Sequence, residues 1–570
     1  MESKPRKHTV RIGMCLCVLL LIYAVQVDYY WHYTNDDAYI TFRYSRQMAA
    51  GNGPCYNAGE HVEGYTNFSL MMLMALIIRI FGPGAVPFAA KLPGVLFGGS
   101  TMILAFFLFR NIFRSWPDRI SVTGGLLAAG IVSVTPAYAL NSTSGLETLM
   151  FSFFLILGLW LTTLEDRKQK WMGASAAFSV MVLTRPEGIL LFGLFWLTRV
   201  IILIRREKQN NNSGPDVGNR SLLQSKPLRL TVTNGAVVVL VYAIHLVFRI
   251  LYYDGEWLPN TYYAKQGGFW AVTAWPYIAG GLLKPVFGIA GLLFALTGYV
   301  INRRRIPLNI LPFTVLAAGA ACLPFITGTD WMPGWRFAIP YLPLIAVMTT
   351  GGWLALLERF PLKTGLHWII LAALPGVLWF HHDSDRRSLH YHTVFRSRGY
   401  ATGHAALAKW IKPLASQDDI IVLMDIGIIG YACIDQSILD LTGLTDRYIA
   451  KSPGTFLNKT YDPGYIFQHE PEFIVLVLTA PGRAYRTPPP DTKFIFWTPM
   501  ESRLYEHQDF QEYYIRKDTE KAAAWDWLEA KAGQIGAVRI FEHAHPGMYY
   551  LLAVFRRHEN PGLSPGKAMP

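Results

Sequence analysis

The sequence predicts a polytopic α-helical membrane protein of about eleven spans, followed by a C-terminal extracytoplasmic α/β domain. Three observations predict it. Of 570 residues, 52% are hydrophobic and only 16% are charged, which excludes an ordinary soluble fold. Apolar runs long enough for a hydrocarbon core about 30 Å thick recur along the first two thirds of the chain. Lys and Arg gather in clusters between alternate runs, as the positive-inside rule requires.

Taken in order, the runs lie near 12–30, 88–110, 120–140, 146–164, 172–184, 188–204, 229–250, 284–302, 308–327, 339–357 and 365–381. The first has a basic head and no small-residue cleavage site before Asp36, so it reads as a retained span. The run 67–81 contains Arg79 and leads into Phe81-Gly82-Pro83-Gly84; it predicts a helix lying along or dipping into the outer surface. With that assignment, Lys4, Arg6, Lys7 and Arg11, then Arg110, Arg114 and Arg119, then Arg167, Lys168 and Lys170 share one side. Arg205, Arg206, Lys208, Arg303, Arg304, Arg305, Arg359 and Lys363 join them, which predicts a cytoplasmic N-terminus. The stretch 206–228, with Asn210-Asn211-Asn212-Ser213-Gly214, reads as a flexible cytoplasmic linker. Orientation accounts for the net charge of +13 without nucleic acid as a partner, and the 17 Trp suit two interfacial belts.

The five cysteines give no metal-ligand spacing: Cys15, Cys17 and Cys322 fall in apolar runs, while Cys55 and Cys433 read as free buried thiols rather than a disulfide. Past the last run the composition shifts, dividing the chain into a membrane region, 1–384, and a soluble α/β domain, 385–570. Within the latter, Asp419–Asp425 and Phe473–Leu478 read as buried strands, and Thr402–Lys412 and Thr519–Ala532 as helices. The membrane region has no internal repeat, which argues against a transporter of duplicated halves.

Polar chemistry concentrates in the outward loops. Thr34-Asn35-Asp36-Asp37-Ala38-Tyr39-Ile40 places two carboxylates at a membrane edge, as a base with its partner or as caps of the next helix. Arg43 shares a helical face with Asp36 and Tyr39, for a carboxylate, a phosphate or a surface ion pair. Glu63 is a second acid or a cap, and Thr184-Arg185-Pro186-Glu187-Gly188 is a hinge or part of a site. Trp257–Lys265 and Asp330–Phe337 set cations beside aromatics, either as belt anchors or as sugar-stacking surfaces.

These strings resemble the arabinofuranosyltransferase AftB family, within the GT-C class of polyprenyl-phosphate-dependent membrane glycosyltransferases. The likeness rests on Asp36–Ile40 with Arg43-Tyr44, Gly51-Asn52-Gly53, Val62–Thr66, Gly145–Thr148 and Thr184–Gly188. It continues through Leu258–Lys265, Asp330–Phe337, Asp425-Ile426-Gly427 and Asp440–Asp446, and so covers most of the chain. Asn67-Phe68-Ser69 departs from it, where the family often carries Pro or Trp nearby. The resemblance implies a GT-C-like fold in a bacterial inner membrane, with the active site and C-terminal domain outside. It implies a sugar donor on polyprenyl phosphate, a glycan or glycoconjugate acceptor, and a catalytic aspartate in the first outer loop, here Asp36 or Asp37.

For the donor phosphate the candidates are Arg43, Arg185, Lys265 and Arg336. For sugar and acceptor they are Tyr39, Tyr44, Glu63, Tyr65, Glu147, Glu187, Asn260, Tyr262, Asp330 and Trp331. No cofactor is required, although hard oxygen ligands at the acid pair would suit Mg²⁺ or Mn²⁺. Two rivals stand beside the enzyme: a lipid-linked sugar flippase, motivated by His245 and Arg249 in the seventh run, and a glycan-binding assembly protein.

Overall fold

The computed structural model describes residues 3–213, 225–266, 271–302, 308–357, 373–374, 376–481, 495–514 and 548–557. Six helices there are long and apolar enough to cross a bilayer: Thr9–Tyr29, Pro83–Ile112, Thr148–Lys168, Gly188–Gln209, Lys226–Tyr252 and Ile339–Leu357. Their exposed faces are apolar. On the first, Val10, Met14, Val18, Leu21 and Val25 form one exposed stripe, while Leu19, Tyr23 and Val27 pack inward. Ile339–Leu357 is buried on almost every side and forms the centre of the bundle.

Two further runs fold as bent pairs, raising the count to eight. Asp118–Val134 meets Pro136–Thr143 at 62°, where Pro136 cannot continue the preceding ladder. Ala274–Val286 meets Gly288–Ile301 at 60°, around Phe287 with a left-handed φ of 63°. The expectation of about eleven spans is therefore not met by helix length among the described residues. Ala174–Thr184 and Leu311–Thr327 are helices of 11 and 17 residues. At about 1.5 Å per residue, both fall short of a full crossing. Most of the run 365–381 lies outside the described residues. Residues Phe68–Phe81 form a 14-residue helix ending at Gly82, again too short to span.

The C-terminal region holds a mixed sheet. Strands β1 (Ile420–Leu423), β2 (Ser437–Asp440), β3 (Gly454–Thr455), β4 (Asn458–Lys459), β5 (Phe473–Pro481), β6 (Ile495–Phe496) and β7 (Met548–Arg556) follow in chain order. β1 runs parallel to both β2 and β5, and β7 pairs antiparallel with the whole of β5, from Phe473 opposite Arg556 to Pro481 opposite Met548. β6 joins the far end of β5, and β3–β4 form a separate hairpin. The two apolar runs read as strands are β1 and β5; Tyr400–Ile411 is helical, and Thr519–Ala532 lies outside the described residues.

The hydrophobic core of this sheet does not stop at residue 384. Ile421, Val422, Phe473 and Val475 belong to one buried cluster with Tyr44, Tyr56, Tyr65, Met71 and Tyr253. The first outer loop thus supplies part of the core of the C-terminal region. Cys55 and Cys433 are both buried free thiols.

Candidate active site

The helix Asp36–Ala50 begins at Asn35, whose side chain accepts the Asp37 amide at 3.0 Å. Asn35, not either aspartate, is therefore its cap. Gly145, at φ 79°, presses the 144–148 turn against this end, where an added Cβ would stand 3.0 Å from the Ala38 methyl. The Asn35 amide donates to Ser144 O at 2.9 Å.

The adjacent aspartates part company at once. Asp36 is buried and accepts the amides of Gly427 and Ile428 at 3.2 and 2.8 Å, so it caps the turn after β1. A Cβ at Gly427 would overlap the Asp36 carboxylate and carbonyl, so only glycine fits. Burial pushes the Asp36 carboxyl up to about 7; His404 opposes this and Asp425 adds to it. Asp37, one residue on, is half-buried and faces Arg336, Lys265, Asp330 and Asp425. Burial raises its pKa, and Arg336 and Lys265 pull it back.

Beyond Asp37 lies a chain of buried ions from three separate segments. Arg336 pairs with Asp330, and its guanidinium lies 4.7 Å over the Phe337 ring. Arg185 bridges Glu187 at 2.6 Å and Glu147 at 3.4 Å, and stacks 4.7 Å over the same Phe337 ring. Asn67 donates to Glu147 at 3.0 Å, tying the surface helix to this network. Lys265 is exposed, within the electrostatic reach of Asp37, Asp330, Glu147 and Arg336. Trp331 is 47% exposed at the rim, so the ring face not covered by Arg396 is available for stacking. Asp37, Glu147, Arg185, Glu187, Lys265, Asp330, Trp331 and Arg336 are thus brought together.

The remaining predicted residues sit elsewhere. Arg43 is buried and donates to the carbonyls of Tyr56, Cys433 and Gln436 at 2.8 Å each, to Asn57 Oδ1 at 3.1 Å, and to Gly430 O. Its guanidinium is saturated by the protein, which leaves nothing for a donor phosphate. Glu63 is buried and paired with Arg249 at 2.5 Å, so it is neither a free acid nor a cap. Tyr44 donates to Val62 O at 2.7 Å, and the Tyr65 hydroxyl meets that of Tyr253 at 3.1 Å; both are buried. Asn260 spends its amide on the carbonyls of Gly443, Leu444 and Asp446. Tyr262 is exposed, and Tyr39 packs edge-on against Phe42 and Tyr431. These seven stand apart from the recess, and the buried ones hold the outer loops to one another and to the C-terminal region.

Three residues at the site escaped the sequence reading. His404 Nε2 lies 2.9 Å from Asp425 Oδ2, and despite burial Asp425 and Asp36 raise its pKa. Arg396 is buried 4.6 Å over the Trp331 ring, and its Nη1 has no hydrogen-bond partner among the described residues. Asp425 carried a signal, the string Asp425-Ile426-Gly427; His404 and Arg396 stand in helices with no local motif.

Geometry does not fit a divalent cation shared by the acid pair. Both oxygens of Asp36 are spent on amides, and the charges that act most strongly on Asp37 are the cations Arg336 and Lys265.

Comparison with known proteins finds relatives in sequence and in fold. Residues 69–215 match the family described as dolichyl-phosphate-mannose-protein mannosyltransferase, and residues 390–540 match a domain of unknown function (DUF8728). A terminal beta-(1->2)-arabinofuranosyltransferase of Corynebacterium glutamicum is 29% identical over 276 residues, 45% of this chain and 37% of that protein. Its namesake from Mycobacterium tuberculosis is 28% identical over 221 residues, 34% of each chain. The resemblance read from the motifs is borne out. The matched stretch spans little more than a third of the length of these curated relatives. The archaeal oligosaccharyltransferase AglB from Archaeoglobus fulgidus, solved with an inhibitory peptide and a dolichol-phosphate, aligns over 96% of this chain and 89% of its own. The TM-score is 0.50 at 10% identity, a likeness of fold alone. The fold is of the GT-C class.

Proposed function

We propose that the protein transfers an arabinofuranosyl group from a polyprenyl-phosphate donor to a hydroxyl of an extracytoplasmic glycan or glycoconjugate. One observation carries this: a half-open carboxylate, Asp37, faces Arg336 and Lys265, while its neighbour Asp36 is locked onto backbone amides. In this reading the acceptor oxygen attacks the anomeric carbon as Asp37 takes its proton. The bond from that carbon to the phosphate oxygen breaks, and polyprenyl phosphate leaves with its charge met by Arg336, Lys265 and Arg396. A carboxyl held above its ordinary range is a better proton acceptor than a solvated one, which suits Asp37 to the role. Glu147, Glu187 and Asp330 keep the arginines ion-paired and oriented, and Trp331 offers a ring face to sugar.

The names of the two relatives support arabinofuranose as the sugar. The dolichol-phosphate solved together with the archaeal oligosaccharyltransferase supports a lipid-linked donor. The basic clusters support a cytoplasmic N-terminus, with the site and residues 385–570 outside. We read residues 1–384 as the membrane transferase part and 385–570 as the extracytoplasmic part, joined through a shared core. The flippase alternative loses its main motive, because Arg249 is neutralised by Glu63. No step is routed through a metal.

The test is transfer by the protein in nanodiscs, supplied with polyprenyl-phosphoryl arabinofuranose or a hexose analogue and an arabinofuranosyl acceptor. Label should reach the acceptor from the pentose donor, and Asp37→Asn should cut the rate by about 10²–10⁴. Full activity of that variant removes Asp37 from the chemistry.

A further inference from the structure

A second concavity lies on the C-terminal region, and none of its lining residues belongs to the recess around Asp37. It is an open cleft of about 860 Å³ between the first outer loop, at Asn57 to Val62, and β2 with the segment that follows it. The volume is that of a ligand site rather than a packing gap. Its lining combines an aromatic platform with acids. Tyr448 is 47% exposed and packs against Tyr465 with ring centres 4.3 Å apart and planes tilted by 37°. The Tyr465 hydroxyl is held on Asp446 at 2.8 Å, which fixes the platform. Tyr461 is only 8% exposed, yet its hydroxyl has no hydrogen-bond partner among the described residues. A buried hydroxyl left unpaired is costly unless something meets it.

Charge selects the class of ligand. The cleft's two strong cations are already paired: Arg447 with Asp254 at 3.3 Å and Lys451 with Glu256. Asp446 is taken up by the Ile449 amide and the Tyr465 hydroxyl, which leaves Glu60 and Asp462, each holding one such bond, as the acceptors. That balance repels a phosphate and suits hydroxyl donors above a ring face.

Hydrogen bonds run from the cleft towards the turn that holds Asp36. Asn57, on its wall, accepts from Arg43; the Tyr56 hydroxyl donates to Ile426 O, beside the amides that hold Asp36.

We propose that this cleft binds a neutral oligosaccharide, the body of the acceptor glycan away from its reacting end. The acceptor assignment rests on the transfer reading above; the binding itself does not. The probe is a linear arabino-octasaccharide, titrated by saturation-transfer NMR onto the full-length protein in nanodiscs. Tyr448→Ala and Tyr461→Phe should each weaken its binding at least fivefold. They should raise KM for the octasaccharide acceptor by the same factor, with kcat and KM for a disaccharide acceptor unchanged. Undiminished binding in both variants overturns the proposal, as does displacement of the octasaccharide by vesicles containing polyprenyl phosphate. If no donor supports transfer, the binding arm still reads: loss in the variants keeps the glycan site, and only the transfer reading falls.

Discussion

Arg43 and Arg336 are both buried arginines of the outer segments, yet they do opposite things. Arg43 ends on carbonyls of the first outer loop and the C-terminal region and so fastens the two together. Arg336 pairs with Asp330 in front of a half-open aspartate and keeps a charged face toward the recess. The same contrast divides the aspartates, since Asp36 is consumed by two amides and Asp37 is not. What separates a fastener from a functional group here is how fully the protein satisfies it, not its residue type or its depth.

The largest effect should separate the two arginines. Arg336→Met made together with Asp330→Asn, so that no buried partner is left charged, should lower transfer by about 10²–10³, the usual loss for one preorganised charge at a transition state, with little change in thermal midpoint. Arg43→Met should instead destabilise the fold by about 3 kcal/mol, because it strands buried carbonyls. Transfer assays and thermal unfolding of both variants check this, and equal loss of activity at equal stability would erase the distinction.

Next comes Glu63→Gln, which leaves the Arg249 charge buried without its partner. It should cost about 3 kcal/mol, and protease nicking of the first outer loop should increase.

The pH profile should show a smaller effect. A base must be ionised, and burial raises the Asp37 pKa. The acid limb of kcat/KM should therefore lie above the ordinary carboxylate range of about 4. A limb at or below that range would contradict the environment assigned to Asp37.

A further check is a slope in stability. The folded Asp36 carboxyl, at about 7, binds its proton more tightly than the unfolded one. Its contribution is thus fully present at low pH and is lost as pH rises from about 4 towards neutrality. Asp36→Asn should flatten that part of the thermal-midpoint curve relative to the parent.

Much of this was legible in the chain. The apolar runs, the acid pair, Arg185 with Glu187, and Asp330 with Arg336 could be read because each is a local pattern with a local cost: charge beside an apolar run. The span count was less legible, because a run of apolar residues does not say where Pro136 or Phe287 will bend it. Arg43 was misassigned because helical spacing gives a face and not the partner that covers it. His404 and Arg396 were missed because their significance depends on residues outside their own helices, Asp425 and Asp36 for His404 and Trp331 for Arg396.

Composition and order alone make this chain a membrane protein with its polar chemistry gathered in loops between apolar runs, since the transfer of side chains from water depends on which residues stand together in the sequence. Which of two adjacent aspartates is free was settled by folding. It depended on Gly427 bringing two amides to Asp36, a contact across 391 positions that local spacing does not encode.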